Sequence, residues 1–458
     1  MIQSTNRIGR SLRPRRLLLL LVVLCVAAGA TMFGGVLSEA PASPPRPPAA
    51  AAAPLAGVVP SLPAARDTAG TIEKLQAELR ARPDDADALT LLGLEYEQRA
   101  RETGDPSYYT KADGVLNEAL GLAPDGPVTE SGRGALALSR HRFHEGLAWG
   151  RRALADGAAA HAPDAIQSRA YGIVGDALVE LGRYGKAFDA FDRMMRLDPG
   201  LAAYTRVSYA RELLGRPRAA LAPMRAAVDA AGTEPEPQAW ARVQLGKLYW
   251  GFGAIDAAER QYRLALAAFP GYVYALDALA QVRAARGDLR GAVALERRGV
   301  ARIPLPQFVS TLGDLYRAAG NRTAAAREYA LMDAIRRLLA ANGVRTDLEI
   351  ALFQVDHGIR LRQSLELARA GQRERPSVDG DDVLAWALER NGRCAEALPY
   401  SKHALRLGTQ DALKFFHRGM IERCLGHVSS ARTWFRRAVA LNPHFSLLWS
   451  PLARRLAR

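Results

Sequence analysis

The sequence predicts an all-α fold, an α-solenoid of about ten helical hairpins stacked behind an N-terminal apolar segment and a Pro/Ala-rich spacer. Two observations carry that prediction. First, residues recur at a period close to 34: Gly246, Tyr249, Gly253, Ala258, Tyr262, Ala265 and Pro270 are followed 34 positions on by Ala280, Arg283, Gly287, Ala292, Glu296, Gly299 and Pro304. The same ruler, with shifts of a residue, finds Gly175, Leu178, Gly182, Ala187, Phe191 and Pro199 earlier, and Gly419, Gly426, Ala431, Phe435, Ala438 and Pro443 near the end. Second, AVILMFWYC residues make up 49% of the chain and aromatics only 7%. The apolar content is therefore mostly Ala, Leu and Val, which suits close-packed helices and disfavours an all-β fold. A chain of 458 residues would ordinarily divide into several domains, but a repeat makes it one array.

At the N-terminus, Arg7, Arg10, Arg13, Arg15 and Arg16 precede an apolar run, and the 22 residues from Leu17 to Ser38 carry no charge. A basic flank followed by such a run is a targeting segment, so residues 1–40 read as a signal peptide or a single-pass membrane anchor. Ala28-Gly29-Ala30 offers a small-x-small cleavage site; Leu24 before Cys25 argues against lipidation. In either case the arginines stay in the cytoplasm and the chain beyond residue 40 is exported, an extracytoplasmic location in the cell envelope. Residues 41–66 hold eight prolines between Pro41 and Pro63 and read as an extended, disordered linker. The helical body is then 67–458. The formal charge of +15 shrinks there: seven of the 62 basic and one of the 47 acidic residues lie in 1–66, which leaves 55 against 46, or +9. That is a mild bias without the concentrated stripe that nucleic-acid binding requires.

Each unit of the body reads as helix, turn, helix. A small residue in the middle of the first helix (Gly175, Gly246, Gly313, Gly419) lets the second approach closely. There Ala187, Ala258, Ala325 and Ala431 meet it, and large side chains one turn away fill the remaining space. Gly182, Gly253, Gly320, Gly392 and Gly426 mark the turns. Pro124, Pro199, Pro270, Pro304, Pro376 and Pro443 end the second helices. Hairpins are expected at 88–125 (with an insertion around Arg101 to Thr110), 128–160, 168–200, 201–233, 239–272, 273–305, 306–335, 345–376, 378–411 and 412–445. Thr71 to Ala81 reads as the second helix of a degenerate opening unit. Residues 336–350 interrupt the register, and Ser446 to Arg458, with Leu447, Leu448 and Trp449, caps the last hydrophobic face.

These residues resemble the tetratricopeptide repeat, a helical hairpin whose Gly/Ala, Tyr, Ala, Phe, Ala and Pro pattern is matched over nearly all of 71–446. The overall arrangement is also similar to exported bacterial proteins of this type, notably in Asp356-His357-Gly358 and Leu441-Asn442-Pro443-His444-Phe445. The resemblance implies a right-handed superhelix, protein–protein scaffolding and no activity to carry over. Its register turns certain first-helix residues into the concave groove: Arg169 and Asp176, Arg206 and Tyr209, Trp240, Lys247 and Trp250, Tyr274, Asp277 and Gln281, then Asp314 and Arg317. Arg206, Tyr209, Trp240, Lys247, Trp250 and Tyr274 cluster over the fourth to sixth hairpins and are the candidate binding residues for a protein or peptide, since Trp, Tyr and Arg dominate interface energetics. Packing of Trp240 and Trp250 between neighbouring hairpins is the alternative. No hairpin carries the Lys and Asn of the family's carboxylate clamp, which disfavours recognition of a free C-terminus in that manner.

Catalytic signatures are missing from the sequence. There is no His-Glu-x-x-His, no Gly-x-Ser-x-Gly and no phosphate-binding loop, so neither an enzyme nor a cofactor is expected. His141 and His144 fall in an inter-helix turn without a third metal ligand, and His357 reads as a helix-end histidine beside a capping glycine. Cys394 and Cys424 fall on the same edge of the stack. A bridge is open to an exported protein, but two separately buried small hydrophobes are the favoured reading. The leading function is a non-enzymatic scaffold of the cell envelope. The rivals are an accessory subunit for export or assembly of a cell-surface polymer, and an RNA-binding repeat protein, which 56 arginines against six lysines favour and the export signal opposes.

Overall fold

The computed structural model describes residues 67–458. The expected targeting segment and Pro/Ala-rich linker, residues 1–66, lie outside them. The described residues form helices and no strands. An opening helix α1 (Thr68–Ala81) is followed by α2 (Ala86–Thr103) and α3 (Ser107–Leu122), α4 (Pro127–Ser139) and α5 (Phe143–Ala159), α6 (Asp164–Glu180) and α7 (Tyr184–Leu197), and α8 (Leu201–Leu213) and α9 (Pro217–Ala230). The middle comprises α10 (Pro235–Gly251) and α11 (Ile255–Ala268), α12 (Val273–Ala285) and α13 (Leu289–Arg302), and α14 (Pro306–Ala318) and α15 (Arg322–Ala341). The last three pairs are α16 (Asp347–His357) and α17 (Leu361–Glu374), α18 (Val378–Arg390) and α19 (Cys394–Ala404), and α20 (Ala412–Cys424) and α21 (Val428–Leu441). The short α22 (Ser450–Leu456) closes the chain. Each pair packs as a hairpin on the next, so the described chain is a repeating helical stack, as the period requires.

The small-residue pattern works by close approach. At Gly175, Gly246, Gly313 and Gly419 an added Cβ would fall against the ring of Phe191, Tyr262, Tyr329 and Phe435 in turn, each on the partner helix of the same hairpin. The glycine is thus the seat for an aromatic ring. Helix starts are fixed by Asp85, Asp288, Asn321, Ser377 and Asp411, whose side chains accept hydrogen bonds from first-turn amides. The apolar core is a relay of clusters. Trp240 and Tyr249 touch both the cluster of α8 to α10 and that of α10 to α12, and Tyr274 touches that cluster and the one around Phe308.

Three local features differ from the sequence reading. The expected insertion around Arg101 to Thr110 is mostly helix: α2 runs to Thr103, and only residues 104–106 separate it from α3. The break after residue 335 is an overrun of α15, which continues to Ala341 before Gly343, at φ 77°, turns the chain. Cys394 and Cys424 are joined in a disulfide across 30 residues with Cα atoms 6.1 Å apart, although the favoured reading kept them separate. The first residues of α19 and the end of α20 lie side by side at the hairpin edge, within bridging reach. Cys394 is buried and Cys424 is exposed, so the latter is no core residue. The tail does cap the stack: the Trp386 and Trp449 indoles both donate to Asp356 Oδ1, at 2.8 and 2.9 Å, and Trp449 stacks on Phe416.

The stack also winds tightly enough to touch itself. His141 Nδ1 meets the carbonyl of Arg345 at 2.7 Å, Arg142 Nε donates to that of Gly343, and Arg375 pairs with Glu180. Tyr184 Oη accepts the Val378 amide at 2.7 Å, Thr409 Oγ1 donates to the Leu213 carbonyl at 2.6 Å, and Asn442 Nδ2 donates to that of Trp250 at 2.8 Å. These partners stand 192 to 204 residues apart. The turn inside each of the second to fifth hairpins therefore meets the link that follows the hairpin five places on.

Candidate partner-binding surface on the inner wall

Of the six candidate residues, three converge. Trp240, Trp250 and Tyr274 pack half-buried on the single cluster of α10 to α12, with Tyr274 edge-on to Phe308 at 5.4 Å between centroids. Burial pushes the Tyr274 hydroxyl up to about 12. Lys247, on the same helix as the tryptophans, keeps contact with solvent while protein surrounds it. Loss of hydration lowers its pKa, against the pull of Asp277 on α12 and Glu212 on α8. Tyr209 and Arg206 sit apart on α8. Tyr209 is half-buried against the cluster of α5 to α8, which Val378 of α18 also enters, and burial raises its pKa well above the usual phenol.

Arg206 is buried and fully occupied: Nε and Nη2 hold the two carboxylate oxygens of Asp176 at 2.9 and 2.6 Å, and Nη1 donates to the Ala202 carbonyl. It ties α8 to α6. Buried charges continue along the wall from there. Glu97, on α2, has no hydrogen-bond partner, and burial outweighs Arg101, Arg169, Arg133 and Arg140 to raise its pKa to about 7. Burial lowers the Arg169 guanidinium to about 10, with Glu97 opposing. Burial also takes Glu212 to about 7, helped by Asp411 from the next turn of the stack.

Sequence reasoning missed this second layer. The inward register named Asp176 and Arg206 separately without pairing them, and it gave no sign of the residues that face the wall from one superhelical turn away: Asp379 on α18, and Asp411 and Lys414 at the start of α20. Lys414 Nζ bridges Asp379 and Asp411 at 2.6 and 3.0 Å. Only Asp379 follows a link proline, Pro376; the link before Asp411 and Lys414 has none, so local sequence carried no recurrent signal for this layer.

The weaker chemical candidates have structural partners. His357 ends α16 before Gly358, which takes the left-handed conformation. Its Nε2 contacts Asp314 Oδ1 at 2.7 Å, not its neighbour Asp356, and Tyr329 Oη donates to the same oxygen at 2.6 Å. His141 lies in the α4–α5 turn and is engaged across the seam, while His144 is exposed on α5. No group of three metal-ligating side chains occurs among the described residues. A cavity of about 470 Å³ opens where α5 meets the link between α15 and α16, edged by Arg142, Glu145, Arg336, Arg345, Asp347 and Glu374. No described helix is long and apolar enough to cross a membrane.

Among solved structures the chain is similar to one of the APC/C hetero-tetramer Cut9–Hcn1, at 14% identity over 84% of this chain and 92% of that one, with a TM-score of 0.36. It is also similar to a tetratricopeptide repeat protein from Parabacteroides merdae (17% identity, 56% and 96% covered, TM-score 0.33). A third is YrrB, described as a TPR protein with an unusual peptide-binding site (20%, 42% and 94%, TM-score 0.28). No family model and no curated protein matches the chain.

Proposed function

We propose that this chain is a non-enzymatic helical-repeat scaffold of the tetratricopeptide type, held in the bacterial cell envelope by its N-terminal segment, which receives a polypeptide partner on the inner helices of its fourth to sixth hairpins. The observation that carries the reading is Lys247: a cation on the inner wall, open to solvent, with Trp240 and Trp250 on its own helix and carboxylates from both neighbouring hairpins around it. Elsewhere on the wall Arg206 is taken up by Asp176, and Lys414 by Asp379 and Asp411. Here a charge and two amphipathic indoles are left where a partner's backbone and side chains can use them.

The test is crosslinking in the native envelope, comparing the wild type with Lys247→Glu. Loss of the main crosslinked species in the variant, with helix content intact, supports the assignment; an unchanged pattern removes it. The envelope location has its own test. A reporter active only outside the cytoplasm, fused after residue 66, should be active, and Leu19→Arg with Val22→Arg should silence it, because each central charge costs roughly 2.5–3.5 kcal/mol on insertion scales. An inactive wild-type fusion removes the envelope reading.

A further inference from the structure

The contacts between successive turns follow one rule. The turn inside the third hairpin meets the link after the eighth, that of the fourth meets the link after the ninth, and that of the fifth meets the link after the tenth. The fit is close enough to exclude even a methyl group. Gly215, at φ 70°, would drive a Cβ into the carbonyl of Gly408, and Gly253, at φ 76°, would bring one to 2.9 Å from that of Leu441. Between these backbone contacts Arg375 joins Glu180 of the first turn to Glu349 of the second.

Between five and six hairpins therefore complete one turn. Inner helices packed roughly 8–10 Å apart in a ring of that size have their axes about 8 Å from the centre, and helices with their side chains are about 10–12 Å across. The bore that remains is on the order of 5 Å wide. Water passes; a helix, or an extended strand with its side chains, does not. The side chains describe the same crowding, since Lys247 is wetted yet loses hydration enough to lower its pKa.

We propose that the hydrogen bonds and ion pairs between the two turns form a latch, and that a partner reaches the inner wall only when this latch parts. The proposal rests on the inner-wall reading above and specifies how that wall is reached. The clusters of α8 to α12 contain no residue from across the seam and survive when the turns separate, whereas Val378 of α18 and Leu407 enter the cluster of α5 to α8 from the second turn. Parting the turns breaks these polar contacts, which water can replace, and uncovers Val378 and Leu407 where they pack on the cluster of α5 to α8.

The probe is Lys247 itself, one of six lysines, with Lys186, exposed on α7, as the reference. A small amine-reactive ester and the same ester on a bulky polymer are compared by mass spectrometry. In the wild type the small reagent should modify both lysines, and the bulky one should modify Lys247 at least tenfold more slowly than Lys186. In Tyr184→Phe/Thr409→Val/Arg375→Gln the bulky reagent should reach Lys247 at least fivefold faster than in the wild type. Helix content should be unchanged and the maximum dimension in X-ray scattering larger. If that variant loses helix, the nearly isosteric Tyr184→Phe/Thr409→Val is read instead, with a smaller rise in the same direction. Equal bulky labelling of Lys247 and Lys186 in the wild type overturns the latch, and so does a folded variant with no rise. The labelling needs no partner, so failure of the envelope crosslinking would remove the binding reading while the latch is judged separately.

Discussion

Gly419→Ala tests the claim that glycine seats an aromatic ring in the hairpin. A Cβ at this position would stand 2.6 Å from Cε1 and 2.7 Å from Cδ1 of Phe435, a ring only 1% exposed. Optimal carbon contacts lie near 3.5–4.0 Å, so the ring must retreat by about 1 Å into a filled core. Overpacking of this kind costs about 1–3 kcal/mol, and the gain from replacing a mid-helix glycine offsets roughly 0.8–1.0 kcal/mol of it. The expected net loss is about 0–2 kcal/mol, and the gap from an uncrowded glycine is the full overpacking cost of about 1–3 kcal/mol. Gly114→Ala on α3 is the control, because nothing lies within 4 Å of its Cβ position; there only the propensity gain remains, and stability should rise by a fraction of 1 kcal/mol. Urea unfolding of both variants, followed by tryptophan fluorescence and far-UV dichroism, measures the difference. Adding Phe435→Leu makes room for the methyl group, so the two changes at the tenth hairpin should cost less together than separately. If Gly419→Ala is as harmless as Gly114→Ala, or if its effect adds to that of Phe435→Leu, the ring-on-glycine account is refuted.

Three further outcomes follow from the geometry. Replacing Cys394 and Cys424 with serine should destabilise the last two hairpins by roughly 3–4 kcal/mol on loop entropy for the 30-residue separation; equal melting with and without reductant would contradict this. Arg206→Ala strands Asp176 in the core and should cost about 3–5 kcal/mol, whereas removing both charges should cost less, a non-additivity read by a double-mutant cycle. Glu97 and Glu212 are raised from 4.5 to about 7, so the folded state holds protons the unfolded state has released, and their stabilisation, complete below pH 4.5, is lost as pH rises through 7. His357 and His417, also raised, act in the same direction. Urea midpoints should therefore fall from pH 5 to pH 8, and Glu97→Gln should flatten the fall; a midpoint that climbs over that range is the adverse result.

Hairpin number and limits were legible because each hairpin writes its own packing into local spacing. Gly246 and Tyr262 stand 16 residues apart and meet inside one unit, and the same spacing marks Gly175 and Phe191, Gly313 and Tyr329, and Gly419 and Phe435. The placement of Asp176, Arg206, Lys247 and Asp277 on first helices was legible for the same reason. Their partners were not. The Arg375–Glu180 pair depends on the winding of the whole stack, the sum of small rotations between successive hairpins, and no short window of sequence records that sum. The disulfide was missed by a smaller margin, since the edge was right and only the Cα separation was unknown.

The polar seam also answers a difficulty inherent in a repeated sequence. Hairpins that share one glycine, alanine and aromatic pattern present nearly interchangeable surfaces, so apolar packing alone would let one turn settle on the next displaced by a whole hairpin. Burying an ion pair adds little net stability, because desolvation offsets the attraction, but a pair forced apart leaves uncompensated charge in the interior. Arg375 finds Glu180 and Glu349 in one register; shifted by a hairpin, it would have to leave Glu180 buried and unpaired. Thr409 with the Leu213 carbonyl, and Asn442 with that of Trp250, hold the next two positions, but a carbonyl stands at every turn, so the discrimination lies in the ion pair. That pair selects the register more than it strengthens the fold, as a single buried asparagine does in a coiled coil. Weakening the pair should therefore loosen the alignment of the two turns before it unfolds any hairpin.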